Sequence, residues 1–151
     1  MIYDKLDGPF ELRLASVHAY SVTAAFVLEQ FQWKNRVLVA SAPDQGDMKL
    51  IELQNEIASW AEAFADRDMV FVTLLDSGIS MAGERQLTAA EVTATRAALG
   101  VRPGLFALQL IGKDGSVKLA TESVTSIDEI FALIDTMPMR QREKSDRQDQ
   151  A

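Results

Sequence analysis

Two short apolar runs with one amphipathic segment between them constrain the fold of this chain most strongly. Val37–Ala40 and Met69–Leu75 have the length and β-branched character of buried strands. The segment Met48–Ala65 has helical periodicity, with apolar residues at Leu50, Leu53, Ile57, Trp60, Ala61 and Phe64 and polar residues opposite them at Lys49, Glu52, Glu56 and Glu62. The pattern predicts a strand, a helix and a second strand, joined by a right-handed crossover that makes the strands parallel.

The second half of the sequence predicts two further helices and a hairpin. Thr88-Ala89-Ala90-Glu91 is a capping box for a helix that ends at Gly100. Strands are predicted at Leu105–Ile111 and Ser116–Ala120, and the Asp-Gly pair between them favours an antiparallel hairpin. A second capping box, Ser126-Ile127-Asp128-Glu129, opens the last helix, which the Met137-Pro138-Met139-Arg140 run is expected to end.

This order of elements predicts an α/β domain of thioredoxin-like fold. A βαβ unit, an antiparallel hairpin and a C-terminal helix would form a central mixed sheet with helices on both faces. We expect an N-terminal extension over residues 1–27, the domain itself over 28–140 and a flexible polar tail over 141–151. The extension holds a short alternating strand at Phe10–Leu14, and a helix over Val22–Phe31 follows the N-cap candidate Ser21.

Composition excludes several chemistries. The 151 residues include no cysteine and one histidine, His18, so disulfides, thiolate zinc sites, iron–sulfur clusters and cysteine nucleophiles are impossible. We expect no cofactor, and a bound metal would need carboxylates alone. The net charge of -7 argues against nucleic acid as a partner.

The sequence also gives expectations for membranes and location. The longest apolar stretch, Ala15–Leu28, is interrupted by polar residues and is too short to span a bilayer, so no membrane partner is expected. Asp4, Asp7 and Glu11 precede it, whereas an export signal begins with basic residues. These features predict a cytoplasmic protein.

Three segments carry a family resemblance: Trp33-Lys34-Asn35-Arg36-Val37-Leu38, Ile111-Gly112-Lys113-Asp114-Gly115-Ser116-Val117-Lys118 and Phe131–Arg140. Together they resemble an uncharacterised domain found alone in many proteobacteria and as modules in vertebrate sushi-repeat and steroid-sensitive extracellular-matrix proteins. The resemblance covers about residues 28–143. It implies a thioredoxin-like or peroxiredoxin-like fold with no established catalytic residue, and, because bacterial relatives are often exported, a periplasmic location as the alternative.

The reactive cysteine of thioredoxin-like proteins begins the helix after the first core strand. Here that place, which we call the vestigial redox position, holds Asp44, Gln45, Gly46 and Asp47. Their side chains are expected to cap the helix by accepting its own free amides. The fold also places a cis-proline directly before the antiparallel strand, and Pro103 does not match that position.

A serine nucleophile is not favoured by the remaining polar residues. Ser77 and Ser80 lie in a turn-like segment without a Gly-x-Ser-x-Gly elbow, and His18 is far from both in sequence. Turn chemistry accounts for the serines, and His18 is interpreted as structural.

Strand direction predicts a cluster at the other end of the sheet. If the Leu105 strand runs against the first strand, all three family-like segments meet where the first strand begins, and the cluster contains Trp33, Lys34, Arg36, Lys113, Met137, Met139 and Arg140. Two interpretations stay open. The basic groups form an anion-attracting binding patch, or Trp33 packs beneath the Met-Pro-Met turn while the basic groups bond helix-terminal carbonyls.

The loss of the usual catalytic groups favours a non-enzymatic binding or interaction module. Its partner would be a protein or a small anionic ligand, and self-association into a homo-oligomer is a further expectation. The alternative is a thiol-independent enzyme, for example one that binds glutathione in the manner of transferases that activate the thiol of a substrate.

Overall fold

The computed structural model describes residues 27–150. The predicted strand at Phe10–Leu14, residues 22–26 of the first predicted helix, and His18 lie outside the described residues. Residues 27–29 are helical. The strands that follow are β1 (Arg36–Ala42), β2 (Met69–Leu75), β3 (Met81–Ala82), β4 (Arg85–Gln86), β5 (Ala107–Ile111) and β6 (Val117–Thr121). The helices are α1 (Met48–Ser59), α2 (Ala61–Asp66), α3 (Ala89–Leu99), α4 (Ile127–Asp135) and α5 (Pro138–Gln150).

The described strands form one mixed sheet in the order β4-β3-β2-β1-β5-β6. Strands β1 and β2 are parallel, with Arg36 opposite Met69, and β5 runs antiparallel to β1, with Ala107 opposite Ser41. Strand β6 is antiparallel to β5, as the Asp-Gly hairpin predicts. Strands β3 and β4 form a small hairpin that the sequence analysis does not predict.

Every residue of β1 is buried, because both faces of the sheet are covered. Alternate residues face opposite layers. Leu38, Ala40 and Ala42 pack against α1, α2 and α4, in a core that includes Leu50, Leu53, Phe64, Ile127, Ile130, Phe131 and Ile134. Val37 and Val39 lie on the other face, with Val27, Val72, Leu74, Leu87 and the α3 side chains Val92 and Leu99.

The first predicted capping box is complete, and the second is present only as its N-cap bond. Thr88 and Glu91 form the complete capping box of α3, which ends at Gly100 in the left-handed conformation (φ 68°). Ser126 caps α4 by accepting the Glu129 amide, and the Ile127 amide donates to Glu56 Oε1 from α1. Side-chain acceptors thus define the beginnings of both helices.

Two helical expectations are wrong. The predicted helix Met48–Ala65 is interrupted at Trp60, whose φ of -118° and ψ of 34° end α1 and let α2 begin at Ala61. The bend buries Phe64 and leaves Trp60 half exposed, whereas one straight helix would turn both side chains to the same face.

The helix that Ser126 opens ends directly before the Met137–Arg140 run, as predicted, but a further helix follows. Helix α4 ends at Asp135, and Pro138 begins α5, which extends through residues 141–150 that were expected to be a flexible tail. Proline is well tolerated at the first helical position, because that residue needs no amide hydrogen for an intrahelical bond. The proline therefore starts a helix here.

Candidate functional site

At the vestigial redox position one carboxylate caps the following helix and the other accepts an amide of the turn before it. Asp47 is the N-cap of α1, and its Oδ1 accepts the Leu50 amide at 3.1 Å. Asp44 Oδ1 accepts the Gly46 amide at 2.8 Å, and residues 44–46 are exposed. The helix-capping role predicted for these residues is therefore met by Asp47, whereas Asp44 bonds an amide outside the helix.

A cleft of about 710 Å³ opens beside this position, where β1 and β2 end. We call it the carboxyl-edge cleft. Its lining residues come from the β2 end, the β3–β4 region, the first turns of α3 and the loop before β5, and they are Leu75, Asp76, Gly78, Ser80, Gln86, Leu87, Thr88, Ala89, Val92, Thr93, Arg96 and Pro103. Ligands of open α/β sheets usually bind at this edge.

An ion pair between the buried Arg96 and the partly exposed Asp76 forms part of the cleft wall. Arg96 donates through Nη1 to Ser41 Oγ at 2.6 Å, and through Nη2 to Asp76 Oδ1 at 2.6 Å and to the Leu74 carbonyl at 3.0 Å. The other Asp76 oxygen accepts the Gly104 amide at 2.7 Å. Burial lowers the pKa of Arg96, and the Asp76 carboxylate opposes that shift. The pair ties the end of β2 to the loop before β5 and so shapes the cleft.

The sequence analysis missed Arg96. One signal was available, since Arg96 is four residues after Val92 and three before Leu99, the positions that share a helix face. An arginine on an apolar helix face requires nearby acceptors, which Ser41 Oγ, the Leu74 carbonyl and the Asp76 carboxylate supply. Ser80 is also buried and accepts the Leu75 amide through Oγ, in agreement with the turn chemistry predicted for it.

At the opposite end of the sheet, the structure brings three of the predicted basic residues around one carboxylate. Glu143 accepts from Arg36 at 3.3 Å through each of its oxygens, and from Lys113 at 2.7 Å. Arg140 Nη1 lies 3.7 Å from Glu143 Oε1. Burial would raise the pKa of Glu143, but hydrogen bonds from Lys113 and Arg36 lower it below the ordinary value. We call this group, with its further partners, the basal ion network.

The further partners surround the end of α2. Arg140 donates to Asp66 Oδ2 at 2.7 Å, to the Asp66 carbonyl at 3.0 Å and to Asp135 at 3.1 Å. Arg36 also donates to the Arg67 carbonyl at 3.0 Å, and Lys113 to Asp68 at 2.9 Å. The hydrogen bond from Arg140 lowers the pKa of Asp66. Bonds to helix-terminal carbonyls are thus present, as the structural interpretation of the cluster expects.

Trp33 does not have the packing role considered for it. Its side chain is 63 % exposed and its backbone has a left-handed φ of 69°, while its amide donates to the Lys113 carbonyl at 2.6 Å. Lys34 is also exposed. Met137 packs against the core, and Met139 lines a cavity with Arg36 and Lys113. The expectation that Trp33 plugs the base of the core is therefore wrong: the backbone turn at residue 33 directs the indole away from the core.

The described residues contain no group of three or more acidic, histidine or cysteine side chains arranged to hold a metal ion. Between residues 27 and 150 there is no cis peptide bond, Pro103 included. Within the same range, no helix combines the length and the apolar character needed to cross a membrane.

The model of a protein family described as a domain of unknown function (DUF4174) matches residues 27–143. The chain belongs to this family. The match includes both the vestigial redox position and the basal ion network, and it ends at Glu143, the carboxylate that Arg36 and Lys113 share. The family segment therefore extends into α5.

Solved peroxiredoxins show the fold of this DUF4174 domain. The reduced 2-Cys peroxiredoxin of Plasmodium vivax is similar over 78 % of this chain and 84 % of its own, with a TM-score of 0.55 and 19 % identity. Plasmodium yoelii Prx1a, in a form modified at the N-terminus that makes an artifactual octamer, is similar over 76 % of this chain and 80 % of its own. Its sequence identity to this chain is 18 % and the TM-score is 0.55. Plasmodium yoelii thioredoxin peroxidase I is similar over 76 % of this chain and 79 % of its own, with 19 % identity and a TM-score of 0.54. The predicted thioredoxin-like fold is confirmed.

Proposed function

We propose that this DUF4174 domain is a non-enzymatic binding module that holds a ligand in the carboxyl-edge cleft. The proposal rests on the contrast between the vestigial redox position, whose carboxylates are already bonded, and the open cleft beside it. At the vestigial redox position, Asp44 and Asp47 accept nearby backbone amides. The cleft next to it has a volume of about 710 Å³, within the range of small-molecule sites.

The chemistry of the cleft supports binding over catalysis. A thiol mechanism is impossible without cysteine. Ser80 Oγ is buried and accepts the Leu75 amide, and the Arg96 guanidinium is committed to Asp76, Ser41 and backbone carbonyls. These groups fix the shape of the cleft, and none of them forms a nucleophile–base pair with another.

The position of the cleft supports the same proposal. It lies beside the ends of the parallel strands, and Gly78 on its rim lies close to Gln45 of the vestigial redox position: a Cβ on Gly78 would be 4.0 Å from Gln45 Cγ. Leu75, Leu87, Val92 and Pro103 give the cleft apolar area, and Gln86, Thr88 and Thr93 add polar atoms. A ligand with both apolar and hydrogen-bonding parts fits this lining.

The test is a titration of ¹⁵N-labelled protein with a panel of small-molecule fragments. We expect saturable amide shifts at Gly78, Ser80 and Thr93. Thr93→Trp, which places an indole in the cleft, should abolish them. Ala98→Trp is the matched control, because Ala98 is an exposed residue of the same helix that does not line the cleft. Shifts that survive Thr93→Trp, or a panel without a saturable response at the cleft, would refute the proposal.

Assays with glutathione distinguish the alternative, a thiol-independent enzyme, from a binding module. Binding of glutathione together with faster conjugation to an electrophilic aryl halide would favour a transferase-like activity. Binding of glutathione without faster conjugation would support the proposed non-enzymatic binding module. The Thr93→Trp and Ala98→Trp pair again decides whether the effect belongs to the cleft.

A further inference from the structure

A second cavity, of about 280 Å³, lies at the base of the sheet and has an unusual lining. Three of its residues are basic, three form the apolar turn at the start of α5, and the set is Arg36, Gly112, Lys113, Asp114, Lys118, Met137, Pro138 and Met139. We call it the basal cavity. It is distinct from the carboxyl-edge cleft, which lies at the opposite end of β1.

From this lining we infer that the basal cavity is a binding site for a small monoanion that carries a short apolar group, a carboxylate on a small hydrocarbon or aromatic ring. The inference goes beyond the function proposed for the cleft, and neither depends on the other.

The first observation is an unpartnered donor on a buried cation. Arg36 is 1 % exposed, and its two terminal nitrogens bond Glu143 and the Arg67 carbonyl. Its Nε is buried and has no hydrogen-bond partner among the described residues. A buried N–H without an acceptor is destabilising, and because Arg36 lines the cavity, an acceptor oxygen that reaches Nε would satisfy it.

The second observation is the close approach of Lys118 to Gly112. A Cβ on Gly112 would lie 2.6 Å from Lys118 Cε, a distance that atoms in proteins do not tolerate. The absence of a side chain at Gly112 therefore allows Lys118 to lie across the hairpin, beside the cavity that both residues line. Lys118 is 32 % exposed, and so it belongs to the outer part of the cavity, whereas Arg36 belongs to its buried part.

The third observation is the beginning of α5. Met137, Pro138 and Met139 line the cavity, and the first intrahelical bond after them is from the Gln141 amide to the Met137 carbonyl. The positive end of the helix dipole therefore lies at the cavity, and it favours an anion.

The charge balance of the ion-paired side chains favours a ligand with a single negative charge. Around the cavity and the basal ion network there are six basic side chains (Arg36, Arg67, Lys113, Lys118, Arg140 and Arg147) and five acidic ones (Asp66, Asp68, Asp114, Asp135 and Glu143). The local net charge is therefore +1, which one carboxylate neutralises and which a dianionic phosphate would exceed. The two methionines and Pro138 supply contact for an apolar group.

The experiment is a titration of the full chain with sodium benzoate at constant ionic strength, followed through the ¹H–¹⁵N signal of Arg36 Nε. Benzamide serves as the neutral match to benzoate and phosphate as the dianion. We expect a saturable shift with benzoate and at least tenfold weaker binding of benzamide and of phosphate. Absence of a saturable Arg36 Nε shift with benzoate would overturn the inference, and so would binding of benzamide or phosphate as tight as that of benzoate.

Three variants test the position of the site. Lys118→Gln removes the outer cation, and Gly112→Ala displaces the Lys118 side chain. Each variant should weaken benzoate binding about tenfold, which corresponds to ~1.4 kcal/mol. Lys144→Gln makes the same charge change at an exposed position of α5 outside the cavity and should leave binding unchanged. Equal affinity in Lys118→Gln and wild type, or equal loss in Lys144→Gln, would show that general charge attraction and not the cavity holds the ligand. Thr93→Trp, the cleft variant, should bind benzoate as wild type does.

Discussion

Glu143→Gln is the most informative single change to the basal ion network, because it removes one charge and keeps the shape of the side chain. In the native protein, Glu143 compensates Arg36, which is almost fully buried, and Lys113, which is also buried. After the change the amide oxygen at position 143 still accepts a hydrogen bond, but Arg36 loses the carboxylate with which it forms its ion pair, and Lys113 keeps only Asp68. Removing one partner of a buried ion pair costs about 3–5 kcal/mol.

The lower end of that range applies here, because Glu143 is 18 % exposed and Lys113 retains a carboxylate partner. We therefore expect Glu143→Gln to lower the free energy of unfolding by about 3 kcal/mol. With a urea m-value of about 2 kcal/mol per molar, the midpoint of unfolding falls by about 1.5 M. Asp146→Asn is the control, since Asp146 is an exposed carboxylate of the same helix and its neutralisation should change stability by less than about 0.5 kcal/mol.

The pH dependence of stability tests the contribution of Glu143 independently. The pKa of Glu143 is lower in the folded protein than its ordinary value of 4.5, so its contribution to stability is complete above pH 4.5 and is lost as the pH falls through the folded pKa. The difference between wild type and Glu143→Gln should therefore be constant from pH 5 to 7 and shrink below 4.5. Equal destabilisation by Glu143→Gln and Asp146→Asn at pH 7, or a difference that grows in acid, would refute the assignment.

Two other predictions concern the vestigial redox position. Asp47→Ala should lower the free energy of unfolding by about 1 kcal/mol, because the Leu50 amide loses its acceptor, whereas Asp47→Ser should restore most of it; equal urea midpoints for the two variants would contradict the capping role. The purified protein should neither reduce insulin disulfides nor consume peroxide, because both reactions need a thiolate; turnover above that of a boiled control in metal-free buffer would contradict this.

Strand identity and direction were predictable because each follows from local pattern plus one chirality rule. Met69–Leu75 is the predicted strand residue for residue, and the predicted antiparallel pairing of the Leu105 strand with the first strand is confirmed by Ala107 opposite Ser41. The start of that strand was less predictable. Leu105 and Phe106 continue the apolar run, but pairing with β1 begins only at Ala107, opposite Ser41.

The convergence of Arg36, Lys113 and Arg140 was also predictable, because strand direction alone brings the three positions to one end of the sheet. Their shared carboxylate was not. Glu143 lies beyond Pro138. A proline that follows a helix is compatible with the end of helical structure and also with the first residue of a new helix. The choice depends on tertiary contacts of α5, which include the bonds from Arg36 and Lys113 to Glu143.

The two ends of the sheet differ in how their polar groups are satisfied, and that difference separates the two proposed sites. At the carboxyl edge, Asp47, Thr88 and Asp76 accept backbone amides at the boundaries of elements, which leaves a cleft whose wall is already neutral. At the base, the same kind of interaction is incomplete. Arg36 makes three hydrogen bonds to oxygen atoms, fewer than its five N–H groups allow, and its Nε has no acceptor in the described part of the chain. For the two proposed sites, we therefore expect the shape of the lining to decide binding at the cleft and its charge to decide binding at the basal cavity.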